Sequence, residues 1–351
     1  NWRKNKYFYN KKTGQNWYCN PLINSMFING VNSNVFNSIN GEYSYNTLHP
    51  WKSFYQRLYL MFSQSKLTFL FFSKYVVNIS PPIKGAKNKL IIGGNKKIRI
   101  IDTYKKEVYV LLKHGFDVKF LEKEIYVRKA FPFLPITKIN FIGNNGLWYS
   151  EQYIFGIPPN RIKGNKSKKI LFSAINDLRN ILDKSVSSKN LNQYAKSLFK
   201  LIENNINRIT GIDKNVKNSI ISSASKLFKF LLRYNKNEIL IGFCHGDFHQ
   251  GNILANGDNY WILDWENSGI KQIGYDLFIL LLGSRMDKGY SKKIANIIDG
   301  KFDKNQIDII NNWPEIKCNN NFLKSEYLIT FLLEDILFYL DEYNNDLFYI
   351  D

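Results

Sequence analysis

Ile241–Glu266 reads IGFCHGDFHQGNILANGDNYWILDWE. Two apolar runs that look like strands bracket a short loop carrying His245, Asp247, His249 and Asn252. Asp264 closes the second run, Tyr260-Trp261-Ile262-Leu263. The pattern is H-x-D, four residues, N, then a strand ending in Asp. Carboxylate and amide oxygens of this kind are the donors that hard cations take. A polar loop whose Asp and Asn only cap turns is the plain alternative, but it leaves five matching positions to accident. A transition-metal hydrolase site built from His245, Asp247 and His249 is a third reading. The chain has four histidines, however, and His49 and His114 lie in unrelated contexts. Such a site also leaves Asn252 and Asp264 without a role.

Upstream of the loop the texture is that of strands. Lys89–Ile92 and Ile98–Ile101 read as two β runs around the turn Gly93-Gly94-Asn95, and Glu107–Lys113 as a third. Phe120–Phe131 reads as a helix carrying Glu122 and Glu124 and stopped by Pro132; Ile136–Ile142 and Leu147–Tyr153 read as two further strands. The breaker Gly156-Ile157-Pro158-Pro159 follows, and after it the chain is mostly helical. Expected helices are 169–182, 191–206, 215–233, 276–283, 290–298 and 322–343. Residues 1–50 show little periodicity and read as an irregular extension; 50–77 read as one helix, closed by Pro81-Pro82. A β-rich part with one helix followed by a helical part is an α+β arrangement, not a doubly wound parallel sheet.

HGDFHQGN followed by ILDWE resembles the aminoglycoside phosphotransferase and choline kinase group of the protein-kinase-like superfamily, whose loop reads H-G-D-x-H-x-x-N with a later [IL]-D-[WF]-E. The resemblance spans about 82–342 and is most specific over 245–266. It implies a two-lobed kinase-like fold: an extension over 1–80, a small antiparallel β lobe with one helix over 81–156, and a larger helical lobe over 157–351. It implies an ATP- and Mg²⁺-dependent phosphotransferase acting on a hydroxyl of a small molecule, with sugar- or aminoglycoside-like acceptors first and choline-like ones second. Asp247 resembles the catalytic aspartate that orients the acceptor hydroxyl. His245 would buttress the loop and His249 lies beside the catalytic carboxylate, while Asn252 and Asp264 would hold Mg²⁺. Lys113, with Glu124 on the following helix, resembles the lysine that holds the α- and β-phosphates and its partner, with Lys119 and Glu122 as competitors. Gly93 and Gly94 are candidates for the turn covering the phosphates through exposed N–H groups, or for an ordinary hairpin. The segment 152–156 is placed like the hinge that meets adenine. Asp264-Trp265-Glu266 in place of D-F-G, with no A-P-E after it, favours a small-molecule kinase over a protein kinase. Asp276 is either a helix N-cap or the residue that steadies the catalytic loop in this family. Glu334, Asp335, Asp341 and Glu342 read as a solvated helix face; acceptor-pocket carboxylates are the other reading.

The 351 residues, 44% hydrophobic and 16% aromatic, suit a globular chain with sizeable cores. A net charge of +20 raises nucleic acid or an anionic membrane as partners. The lysines are spread along the chain without a block of five, as AT-rich coding gives, and no nucleic-acid partner is expected. Cys19, Cys244 and Cys318 are far apart and form no C-x-x-C, so a disulfide framework and a zinc ribbon are both unsupported and a cytoplasmic, reducing location is expected. No signal peptide is visible, and the apolar run 67–79 is too short and too interrupted to span a bilayer. The chain opens on Asn1 rather than Met, which leaves its native start open. A catalytically silent kinase-like scaffold of a cell-envelope or polysaccharide system is the alternative function, although a scaffold needs none of the Mg²⁺ ligands.

Overall fold

The computed structural model describes residues 14–20, 24–36, 75–234, 238–283, 289–313 and 325–347, with scattered positions between 51 and 73. The chain divides into two compact units, 1–167 with 253–263, and 168–252 with 264–351.

The first unit is built on an eight-stranded antiparallel sheet. Its strands are β1 (Gln15–Asn20), β2 (Ser25–Phe27), β3 (Tyr75–Ile79), β4 (Lys89–Gly93), β5 (Lys97–Asp102), β6 (Glu107–Leu112), β7 (Ile139–Ile142) and β8 (Trp148–Gln152). They lie in the order β3-β1-β2-β4-β5-β6-β8-β7. Helix α1 (Lys119–Ala130) turns Leu121, Glu124 and Val127 inward. Leu121 joins Leu90, Val108, Val110 and Tyr149 in one apolar core. The five strands and one helix expected over 89–153 are therefore the ones observed. The irregular reading of the first fifty residues does not hold over 15–27: β1 pairs β2 and β3, and β2 pairs β4, so this segment extends the sheet. Trp17 and Cys19, both fully buried, supply the reason. The expected helix over 50–77 lies mostly outside the described residues, and its last part, Tyr75–Val77, is strand β3.

The second unit begins with α2 (Asn165–Ser185), which opens at the end of the first, then β9 (Ser187–Asn190), α3 (Leu191–Arg208), α4 (Lys214–Leu231) and β10 (Glu238–Cys244). The hairpin β11 (Ile253–Asn256) and β12 (Asn259–Ile262) belongs to the first unit. There Ile157 and Ala255 pair through their backbones, and a Cβ on Gly156 would stand 3.1 Å from the Ala255 carbonyl oxygen. The breaker thus carries glycine where two backbones meet. The chain then returns to the second unit with β13 (Gly269–Gln272), α5 (Tyr275–Leu282), α6 (Tyr290–Ile298), α7 (Lys304–Asn312) and α8 (Ser325–Leu347). Helix α7 was not anticipated, although Asp303 and Gln306 form a capping box at its start. Apolar residues of α3, α4, β10 and α8 make the main core of this unit. Among the described residues no helix is long and apolar enough to cross a membrane. The fold is α+β: an antiparallel sheet unit with one long helix, and a helical unit.

Candidate active site

Strand β10 delivers the loop. It lies antiparallel to β13, with Ile241 opposite Gln272 and Cys244 opposite Gly269, so Cys244 is the last paired residue before His245. The chain then turns sharply at Gly246, whose φ is +82°; a Cβ there would sit 2.0 Å from the Asn267 carbonyl oxygen. Only glycine fits that corner.

Asp276, in the first turn of α5, fixes the corner from the other side. Its carboxylate accepts from the His245 N–H at 2.7 Å and from the Gly246 N–H at 2.9 Å. Gly274 holds the N-cap position, so the loop-steadying reading of Asp276 is the observed one. Burial raises the pKa of Asp276, while His245 and the two N–H groups act in the opposite direction. His245 is fully buried, with its ring 4.4 Å from that of Trp265, and its Nδ1 accepts from the Asp247 N–H at 3.2 Å. It therefore braces the backbone of Asp247 from within the core. The Cys244 thiol beside it is buried, which pushes its pKa well up.

The half-buried side of the loop carries the candidate site groups Asp247, His249 and Asn252. His249 Nδ1 accepts from the Gly251 N–H at 3.0 Å, which leaves Nε2 as the protonated nitrogen of the neutral ring; Nε2 lies 3.8 Å from Asp247 Oδ2. With both Nδ1 atoms accepting from the loop's own backbone, the hydrolase metal-site reading loses its histidine ligands. Asn252 donates through Nδ2 to the Asp247 carbonyl at 2.9 Å and, at 3.4 Å, to the Asp247 carboxylate. That commitment leaves Oδ1, a hard oxygen donor, as the atom Asn252 can present to a cation. Asp264 adopts φ +68° and ψ +53°, a left-handed conformation that costs a non-glycine residue of order 1 kcal/mol or more. The donor set at Asn252 and Asp264 fits Mg²⁺ by its chemistry.

In the sheet unit the lysine seen on Glu124 is Lys97, the first residue of β5. Lys97 Nζ lies 2.6 Å from Glu124 Oε1 and both side chains are buried. Glu124 also accepts from Arg128 at 3.0 Å and Tyr149 at 2.7 Å, and Arg128 reaches on to Glu151 at 2.6 Å. Burial within this network raises the Tyr149 hydroxyl well above its ordinary pKa, with Glu124 and Glu151 adding to the rise. Lys113 stands just past β6, its N–H donating to the Lys96 carbonyl. The Gly93-Gly94 turn is a hairpin whose Gly94 N–H donates to the Lys97 carbonyl at 2.8 Å. That N–H is therefore engaged rather than exposed, as the phosphate-cradle reading required.

On α8 the solvated-face reading fails for Glu334 and Asp335, both buried. Glu334 Oε1 accepts from the Tyr194 hydroxyl at 2.6 Å and the Gln272 N–H at 2.9 Å, and Tyr290 donates to Asp335 at 2.6 Å. Gln272 in turn accepts from the Gly274 N–H at 2.7 Å, two residues before Asp276. A run of contacts therefore leads from α8 through β13 to the loop.

A model of the phosphotransferase enzyme family matches residues 223–315, which contain the whole loop. The resemblance carried by HGDFHQGN and ILDWE is borne out over that segment. The chain is 30% identical over 148 residues to a curated Dictyostelium discoideum protein named probable ethanolamine kinase B, covering 38% of this chain. The match spans 33% of that relative's length. Among solved structures, the Plasmodium vivax ethanolamine kinase is 16% identical with a TM-score of 0.47, covering 90% of this chain and 88% of that one. The choline kinase LicA of Streptococcus pneumoniae is 13% identical with a TM-score of 0.46, covering 76% and 84%.

Proposed function

With a phosphotransferase enzyme family segment at its centre, we propose that this chain transfers the γ-phosphoryl group of ATP, with Mg²⁺, to a hydroxyl of a small molecule. Similarity to the Dictyostelium discoideum relative supports ethanolamine-like amino alcohols as acceptors, beside the sugar- or aminoglycoside-like ones. The observation that carries the reading is Asp247: its backbone is fixed by buried His245, and its carboxylate is flanked by His249 and Asn252.

Asp247 holds the acceptor hydroxyl in line and takes its proton on a carboxylate oxygen. The acceptor oxygen then bonds to the γ-phosphorus as the bond to the ADP oxygen breaks. His249 Nε2 stands 3.8 Å from that carboxylate, beyond hydrogen-bond length, as its polar neighbour. Asn252, through Oδ1, and Asp264 would hold Mg²⁺, which when bound neutralises charge on the β- and γ-phosphates. Lys113 is assigned to the α- and β-phosphates. Glu124 acts on the nucleotide side through its buried pair with Lys97 of β5. Gly93 and Gly94 offer a phosphate room rather than a row of N–H donors. The described cysteines, Cys19 and Cys244, are buried free thiols, which supports the cytoplasm as the compartment.

The test is transfer from γ-labelled ATP into pooled amino alcohols, sugars and aminoglycosides, with wild type beside Asp247→Ala. Label in a small-molecule product, lost by about 10²–10⁴-fold in the variant, is the expected result. Unchanged turnover in the variant would remove Asp247 from its role. No transfer by wild type, together with no thermal stabilisation by Mg-ATP, would favour a silent scaffold.

A further inference from the structure

Helices α3 and α4 fold back on one another through the short link 209–213, and their side chains fix the register. Phe199 stacks on Phe228 with centroids 5.3 Å apart and planes 5° from parallel. That register brings Lys196 and Lys200 of α3 to the same end of the hairpin as Lys226 and Lys229 of α4. All four are exposed. Over Lys214–Leu231 helix α4 contains no acidic residue at all, and the one acid of α3, Glu203, is half-buried. Asp213, at the opposite end of the hairpin, is engaged as the N-cap of α4, accepting from the Asn215 N–H at 2.7 Å.

Four basic side chains elsewhere on the surface do meet acidic ones: Lys168 with Asp308 at 2.6 Å, Lys301 with Asp299 at 2.8 Å, Lys166 with Asp258 at 3.3 Å and Arg179 with Asp183 at 3.5 Å. No ion pair joins Lys196, Lys200, Lys226 or Lys229 to any described residue. The patch is marked by the lack of acids on its two helices, one half-buried acid on α3 and none on α4. It also has an apolar margin. Leu201, Phe230 and Leu232 are each close to half exposed on the same two helices and the residue that follows them.

Unpaired ammonium groups beside exposed apolar side chains are the two elements of a surface that lies on lipid: long-range attraction to anionic headgroups, and shallow insertion between them. We propose that the outer face of the α3–α4 hairpin docks the protein peripherally on an anionic membrane. A nucleic acid would use the charge but leave Leu201 and Leu232 in water, so the apolar margin selects the membrane. This proposal does not depend on the catalytic reading, since the patch contains none of the loop residues.

The experiment is flotation of the full chain with phosphatidylcholine vesicles, with and without phosphatidylserine, at low and physiological salt. Retention is expected on the anionic vesicles only, weakening with salt. Lys196→Glu, Lys200→Glu, Lys226→Glu and Lys229→Glu combined should lower partitioning by more than about tenfold, and Phe230→Ser should lower it a few-fold. An unchanged unfolding temperature shows that the variants still fold, as expected for exposed side chains with no ion-pair partners. No retention on vesicles, equal retention on neutral ones, or retention untouched by the charge reversals would overturn the proposal. So would salt-sensitive retention on RNA without retention on vesicles, which would give the patch to nucleic acid.

Discussion

Replacing Glu334 by glutamine should flatten the pH dependence of stability across neutrality. Burial pushes the Glu334 carboxyl from 4.5 to about 7, against the opposing influence of Lys271, the Tyr194 hydroxyl and the Gln272 N–H, while Asp276 adds to the rise. Because the folded value lies above the unfolded one, the native state keeps a proton that the unfolded chain has already released. The stabilisation is therefore complete below the unfolded value of 4.5 and is lost as pH rises through about 7. A rise of that size, at about 1.4 kcal/mol for each pH unit, makes the loss about 3 kcal/mol. In Glu334→Gln the amide oxygen still accepts from Tyr194 and Gln272, and nothing titrates. The new NH₂ stands where Glu334 Oε2 has no partner among the described residues, so the variant loses roughly 1–3 kcal/mol at every pH. Urea denaturation from pH 4.5 to pH 8 should show wild type losing about 3 kcal/mol relative to the variant. Parallel curves for the two proteins would refute the assignment of a raised Glu334.

Further outcomes follow from the same geometry. Asp276→Ala strands two buried N–H groups, at His245 and Gly246; the cost should be about 2–6 kcal/mol in urea denaturation, with turnover reduced as the loop loosens. Lys97→Met removes the 2.6 Å partner of Glu124 while Arg128 and Tyr149 stay on it, and the chain should lose about 1–3 kcal/mol by the same measurement. Asp264→Asn keeps a residue type that tolerates the left-handed conformation but removes the charge. Its unfolding temperature should stay close to wild type while the thermal shift on adding Mg-ATP disappears.

Much of the sheet unit was legible because its signals are local. Alternating apolar residues punctuated by Gly93-Gly94 and Pro132 need only neighbouring sequence to be read. β1 escaped because Asn, Tyr and Trp dominate it, yet Trp17 and Cys19 are buried on either side of half-buried Tyr18. The catalytic-loop candidates were legible as a pattern, but the pairing around Glu124 was not. Strand pairing brings Lys97, 27 residues upstream, onto Glu124, whereas sequence proximity pointed to Lys113. The partner of a buried charge is set by sheet register, which no short window contains.

Helix α8 marks a different boundary. Tyr327–Leu340 reads YLITFLLEDILFYL, apolar on every side of the helix, and a helix apolar all round is a buried one. Glu334 and Asp335 stand in the middle of that run, so no solvated face was available to them, and their burial could have been inferred from the sequence. What could not be inferred is what makes the burial tolerable. A buried carboxylate needs donors, and Tyr194, which supplies one, lies 140 residues away in sequence. The second donor is the backbone of Gln272, on the strand paired to the one that feeds His245. The helix that closes the chain's described part therefore holds the candidate loop's support through a hydrogen bond from main chain, an interaction that leaves no trace in residue identity.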